Sequence, residues 1–259
     1  MPVLSEIRYS REATVAAVTG YFDFLAKMYL NEADILRPPE GGWPEIMPQR
    51  LKGLGKTDEV TLLLRHLPYI RPNYAISGPD AGPCGVQFYC WLDPIRSLDL
   101  TGQESQDSEE EFDTMKFMTE GGHRDVIPSH VVGLTSSEDL EDLFMLDTQL
   151  GVIYWLECPG RIWHHPTRER IEDDAYDYAA EDEADWRNYP AFAIADFFEL
   201  LKDQFRQLDV IPISPSRVLD PTLQAIYREH SWPDLDRYQK EECLKAVGAM
   251  ARERYPISL

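Results

Sequence analysis

The sequence predicts an α+β protein: a central, mostly antiparallel sheet flanked by helices, with helical extensions at both ends. Three observations carry this. Apolar residues recur at helical spacing near the N-terminus and again after residue 190. Short β-rich runs group between those stretches, and two of them flank a turn. Strands and helices do not alternate as βαβ units would require. The 259 residues are 43% hydrophobic and 11% aromatic, which suits a substantial core. We divide the chain into an N-terminal helix over 1–34 that packs on the core, an α+β core over 35–210 with acidic insertions, and a C-terminal helical extension over 211–259.

Ser10 is read as the N-cap of the first helix, its hydroxyl accepting from a first-turn amide. Val15, Val18, Phe22, Leu25 and Tyr29 form the apolar stripe, and Pro38-Pro39 set the outer limit. "RPPEGGWPEIMP" is irregular but carries Trp43 and Ile46 to bury. Thr57 then caps a second helix, with Asp58 and Glu59 at the positive end of its dipole and Pro68 closing it. "GVQFYCWLD" reads as a strand and "SQDSEEEFD" as a solvated acidic loop. A short strand is expected around Val131-Val132, and "DLFMLDT" with "LGVIYWLE" forms a hairpin turning near Gln149.

"YPAFAIADFFELLKDQFRQLD" reads as one amphipathic helix, with Ile194, Phe197, Phe198, Leu201, Phe205 and Leu208 on its apolar face. Asp220 as cap and Pro221 at the first position open a short helix. A last helix carries Leu244, Val247 and Ala251 along one stripe.

Charge restricts the partners. With 46 acidic against 25 basic residues the net charge is −21. Such a surface repels phosphate backbones and anionic membranes and attracts a basic protein. No uninterrupted apolar run is long enough to span a bilayer, and Asp23 and Lys27 break the first one, so no signal peptide is read. Cys84, Cys90, Cys158 and Cys243 form no CxxC pair, and their apolar neighbours suit buried, reduced thiols in the cytosol or nucleus, with two disulfides as the alternative.

The chemistry-bearing patterns are thin. "KGLGKT" at 52–57 resembles part of a phosphate-binding loop, but Arg50 stands where the first glycine is required. We read it as a turn and a helix cap. His123 and His130 bracket Asp125, and His164-His165 follow Cys158, at spacings that do not make a zinc site. No G-x-S-x-G elbow is present. Asp147-Thr148 fits a turn better than a protease motif, since both side chains bond nearby backbone. No catalytic, cofactor-binding or metal-binding residue is assigned. The segment 169–186 interleaves rings with carboxylates, as interfaces do. Its Glu172, Asp173, Asp174, Tyr176, Asp177, Tyr178 and Trp186 are therefore the candidate partner-binding residues; alternatively, the rings pin the segment to the core.

Residues 35–208 resemble the SUKH superfamily of fungal cell-wall-synthesis regulators and bacterial immunity proteins. The resemblance lies in "GGWPEI" with its following helix, in "LFMLDTQLGVIYWL", and in "AFAIADFFELLKDQF". It implies an α+β fold that binds other proteins without catalysis, and it carries over no catalytic residue. The expected function is thus that of a non-enzymatic interaction or regulatory protein with an acidic surface for a basic partner. The alternative is an enzyme or small-molecule binder with a pocket lined by Trp43, Trp91, Trp155 and Trp163.

Overall fold

The computed structural model describes residues 2–72, 86–98, 106–136, 142–163, 169–212 and 220–254. Helix α1 (Arg11–Met28) is followed by strand β1 (Ile35–Leu36), α2 (Asp58–His66), β2 (Tyr69–Ile70), β3 (Gln87–Phe88), α3 (Leu92–Ser97) and α4 (Gln106–Glu120). Next come β4 (Val131–Gly133), β5 (Thr135–Ser136), β6 (Phe144–Asp147), β7 (Val152–Trp155) and α5 (Gly160–Trp163). The chain continues through α6 (Ala175–Tyr178), α7 (Glu181–Arg187), β8 (Ala191–Ala193), α8 (Ile194–Gln207), α9 (Pro221–Glu229) and α10 (Lys240–Arg254). This is an α+β fold, and among the described residues every strand pair is antiparallel.

The main sheet has four strands in the order β4-β6-β7-β8. Its middle is the expected hairpin, with Phe144 opposite Trp155 and Asp147 opposite Val152. Successive side chains alternate between the faces. Val132, Phe144, Leu146, Ile153, Trp155 and Phe192 enter a large core shared with the helices. Val131, Met145, Val152, Tyr154 and Ala191 enter a second, smaller core on the opposite face. Both faces are therefore covered, which explains why these strands, Asp147 apart, are apolar rather than alternating.

On the first face α8 lies against β7, and α1 lies against α8. Rings dominate the join: Phe197 meets Phe144 edge-on at 4.8 Å between ring centres, and Tyr21 lies 5.6 Å from Phe198. The caps are those the sequence predicts. Ser10 accepts from Ala13 N, Thr57 from Val60 N, and Asp220 from Thr222 N with Pro221 in the first turn. The segment that joins α9 to α10, together with the first residue of α10, fastens the open ends of α1 and α8. Tyr238 donates to the Met28 carbonyl, Lys240 Nζ donates to those of Ala26 and Leu30, and Trp232 Nε1 donates to that of Phe205. A cation at the carbonyl end of a helix is favoured by the dipole as well as by the hydrogen bonds.

Three elements differ from expectation. The acidic run expected as a solvated loop is, from Gln106 onward, the start of helix α4. Phe112, Met115 and Thr119 supply a buried stripe at helical spacing. The expected strand at "GVQFYCWLD" is cut to Gln87–Phe88, because the chain turns inward at Trp91, whose Nε1 donates to the Gly133 carbonyl at 3.2 Å, and Pro94 suits the first turn of α3. Ala191–Ala193 form an edge strand before α8 instead of its first turn, since their backbone pairs with Val152–Tyr154.

Gly133 is where β4 presses on the end of α4, and a Cβ there would run into the Thr119 carbonyl oxygen. Gly160 has open space around it. Gly133→Ala is expected to lower unfolding free energy by about 1–3 kcal/mol, and Gly160→Ala to change it by less than about 0.5 kcal/mol. Urea denaturation of the two variants checks this.

Candidate functional site

The acidic segment after residue 168 is the cover of the second sheet face. Ile171, Ala175, Ala184 and Trp186 are buried, while Glu172, Asp173, Asp174, Tyr176, Asp177, Tyr178, Glu181, Asp182 and Asp185 are exposed. Ile171 donates its N–H to the Ala191 carbonyl at 2.8 Å, so the segment starts by pairing briefly with the edge strand β8. Asp174 caps α6 by accepting from Tyr176 N. The acids of α7 cluster in its first turn, where the positive end of a helix dipole favours them. The N-terminal arm closes the cover from the other side: Leu4 donates its N–H to Asp173 Oδ2 at 2.6 Å, and Leu4 and Ile7 pack on the second core.

One buried polar network joins this cover to the hairpin. Asp147, at the hairpin turn, is fully buried. Its Oδ1 accepts from the N–H groups of Gln149 and Leu150, both at 2.8 Å, which builds the turn. Its Oδ2 accepts from Arg187 Nη1 at 2.8 Å and lies 3.5 Å from His130 Nε2. The same Nη1 donates to Tyr154 Oη at 3.0 Å, and Arg187 Nε donates to Glu183 at 3.0 Å. Tyr154 Oη is in turn hydrogen-bonded to Tyr178 Oη at 2.9 Å. The guanidinium lies 4.4 Å from the ring centre of Trp186 and 5.3 Å from that of Tyr154. Burial alone would raise the Asp147 pKa, but bonds from His130, the Leu150 amide and Arg187 hold it below its ordinary value. The Tyr154 hydroxyl is driven the other way, well above the phenol range, chiefly by burial.

A cleft of about 320 Å³ opens above this network. Glu172, Asp173, Asp174, Tyr176 and Tyr178 line it, so five of the candidate partner-binding residues come together. Asp177 is exposed but lies outside the lining. Trp186 is corrected: it is fully buried, edge-on to Tyr154 at 5.1 Å, and anchors the cover from below. Arg187, Tyr154 and Tyr189 were not singled out from sequence, yet they form the floor and one wall. The tryptophans weighed as a pocket go elsewhere. Trp91 and Trp155 are buried in the main core, and Trp43 donates its Nε1 to the Leu67 carbonyl at 2.9 Å. The Trp163 side chain and His164-His165 lie outside the described residues.

The "KGLGKT" stretch is a turn followed by a cap. Gly55 adopts φ 71°, and Thr57 caps α2. The Lys56 side chain is buried and its ammonium lies 2.6 Å from Glu120 Oε1 at the end of α4. Burial pushes the Glu120 carboxyl up and the Lys56 ammonium down, each towards its neutral form. The lysine that would meet a phosphate in a nucleotide-binding loop thus faces a carboxylate inside the fold. Among the described residues, no three His, Cys, Asp or Glu side chains are grouped to hold a metal ion.

Asp147 and Arg187 generate a stability prediction. Removing one member of a buried pair strands the other charge, so Arg187→Met is expected to cost about 3–5 kcal/mol near neutral pH. The Asp147 contribution is complete above its unfolded pKa of about 3.9 and is lost as pH falls through the depressed folded value. In Arg187→Met that pKa rises, so the acid loss is reduced and the gap between variant and wild type narrows below about pH 4. Urea midpoints measured from neutral to acid pH check both the size and the direction.

No family model matches the sequence, and no curated protein or solved structure is significantly similar to it.

Proposed function

We propose that this chain is a non-enzymatic interaction or regulatory protein that offers the acidic cover over 169–187 to a basic protein partner. The observation that carries this is the sorting of side chains on that cover. Its apolar anchors turn inward, while Glu172, Asp173, Asp174, Asp177, Glu181, Asp182 and Asp185 face solvent next to exposed Tyr176 and Tyr178. Fixed carboxylates beside amphipathic rings steer a basic surface and then give it area to bury. The overall charge of −21 adds long-range attraction of the same sign. The resemblance of residues 35–208 to the SUKH superfamily points the same way, to an α+β scaffold used for binding.

Among the described residues, no helix is long and apolar enough to cross a membrane. We place the protein in the cytosol or nucleus. Cys90 and Cys243 support this reading, as both are buried free thiols, and burial pushes Cys90 up to about 11, where it resists oxidation.

The test is affinity capture from native extract across a salt series. The bait is compared with a variant carrying Glu172→Gln, Asp174→Asn, Asp177→Asn and Asp182→Asn. Basic proteins are expected on the native bait at low salt, released as screening shortens the Debye length from about 10 Å to about 3 Å, and reduced on the variant. Equal recovery by both baits at all salt concentrations would remove the cover from the binding surface.

A further inference from the structure

We propose that the cleft over Arg187 receives one arginine side chain of the basic partner, with Tyr176 and Tyr178 beside its guanidinium and the carboxylates of residues 172–174 opposite its charge. This rests on the acidic-surface reading above and names the residue type that surface takes.

Among the described residues, four tyrosines line this cleft: Tyr154, Tyr176, Tyr178 and Tyr189. A tyrosine ring presents a negative face that attracts cations within about 6 Å. The floor already shows the preference, since the Arg187 guanidinium lies 5.3 Å from the Tyr154 ring centre. That arginine does not repel an incoming cation strongly, because Asp147 at 2.8 Å and Glu183 at 3.0 Å compensate its charge. Glu172, Asp173 and Asp174 outnumber Arg170, the other cation among the described residues of the lining. Asp173 accepts from the Leu4 amide and Asp174 from the Tyr176 amide. These neutral donors hold the carboxylates in place without cancelling their charge.

Size and shape narrow the occupant. A volume of about 320 Å³ lies at the small end of ligand sites, which run from roughly 300 to 1,000 Å³. It suits a single long side chain. A phosphate-bearing ligand would meet the carboxylates and be repelled. Between the two cationic side chains, arginine fits better. Its planar group stacks on rings and forks onto a carboxylate, whereas the compact, strongly hydrated ammonium of lysine does neither as well.

The experiment uses the full chain labelled with fluorotyrosine and observed by fluorine NMR. The Tyr176 and Tyr178 signals are assigned from Tyr→Phe variants, and N-acetyl-arginine methylamide is titrated at fixed ionic strength. Both signals are expected to shift saturably, with the lysine analogue binding more weakly. Tyr176→Ala should weaken arginine binding by roughly threefold to tenfold, and it should fold normally because Tyr176 is 60% exposed. Phe117→Ala, which removes an exposed ring outside the lining, should leave the affinity unchanged. Unmoved Tyr176 and Tyr178 signals, or native affinity in Tyr176→Ala, overturn the cleft assignment. A hexa-arginine peptide separates the two levels. Salt-sensitive binding that Tyr176→Ala leaves intact sinks the cleft and spares the acidic surface. No binding of the peptide to the native chain at low salt sinks both.

Discussion

The buried contact between Asp147 and Arg187 is the constraint on which the rest of the second sheet face depends. Asp147 is placed by the hairpin, and the two backbone N–H groups that donate to its Oδ1 fix the turn locally. One oxygen then remains inside a low-dielectric core, where an unpaired carboxylate would be costly. Arg187 meets it from a helix forty positions away in sequence. The guanidinium fork also reaches Tyr154 and Glu183, so one residue ties strand, turn and cover together. Lysine, a point donor, could not hold three partners in one plane.

This arrangement explains how a segment so rich in carboxylates stays folded. Like charges along 172–185 repel each other and favour an extended, solvated chain. Ile171 and Trp186 oppose that by burying apolar surface in one core with Val131, Met145, Val152 and Tyr154. Helix dipoles and backbone amides stabilise the carboxylates at Asp174 and in the first turn of α7. What is left faces water, fixed in position on a scaffold rather than swinging on a tail. A fixed array loses less conformational entropy when a partner binds than a mobile one would.

Much of the framework was legible in the sequence because local physics writes it there. Ser10, Thr57 and Asp220 cap as their types and positions indicate, and the 144–155 hairpin follows from its β-rich runs and its Asp-containing turn. The misreadings have a common cause. A run of acids conceals a helix when its anchors are sparse, as with Phe112, Met115 and Thr119 in α4. The edge strand at Ala191–Ala193 carries no pattern of its own and exists because β7 pairs with it. Trp186 reads as an interface ring until its burial is known, and nothing near Arg187 advertises Asp147 as its partner. Such long-range pairs have no periodicity, so a single sequence does not display them. The cleft is of the same kind: Leu4, Tyr154, Asp173 and Tyr189 meet only after the fold is complete.

The central claim is that residues 169–189 form a fixed cover on the second sheet face, and amide hydrogen exchange tests it most directly. The Ile171 amide bonds to Ala191, and those of Ala184 and Asn188 lie in or against α7. On this account these amides are protected, and they open together with the second face of the hairpin rather than ahead of it. Exchange across 169–189 at the rate of an unstructured chain, with the β6–β7 amides still protected, would contradict it.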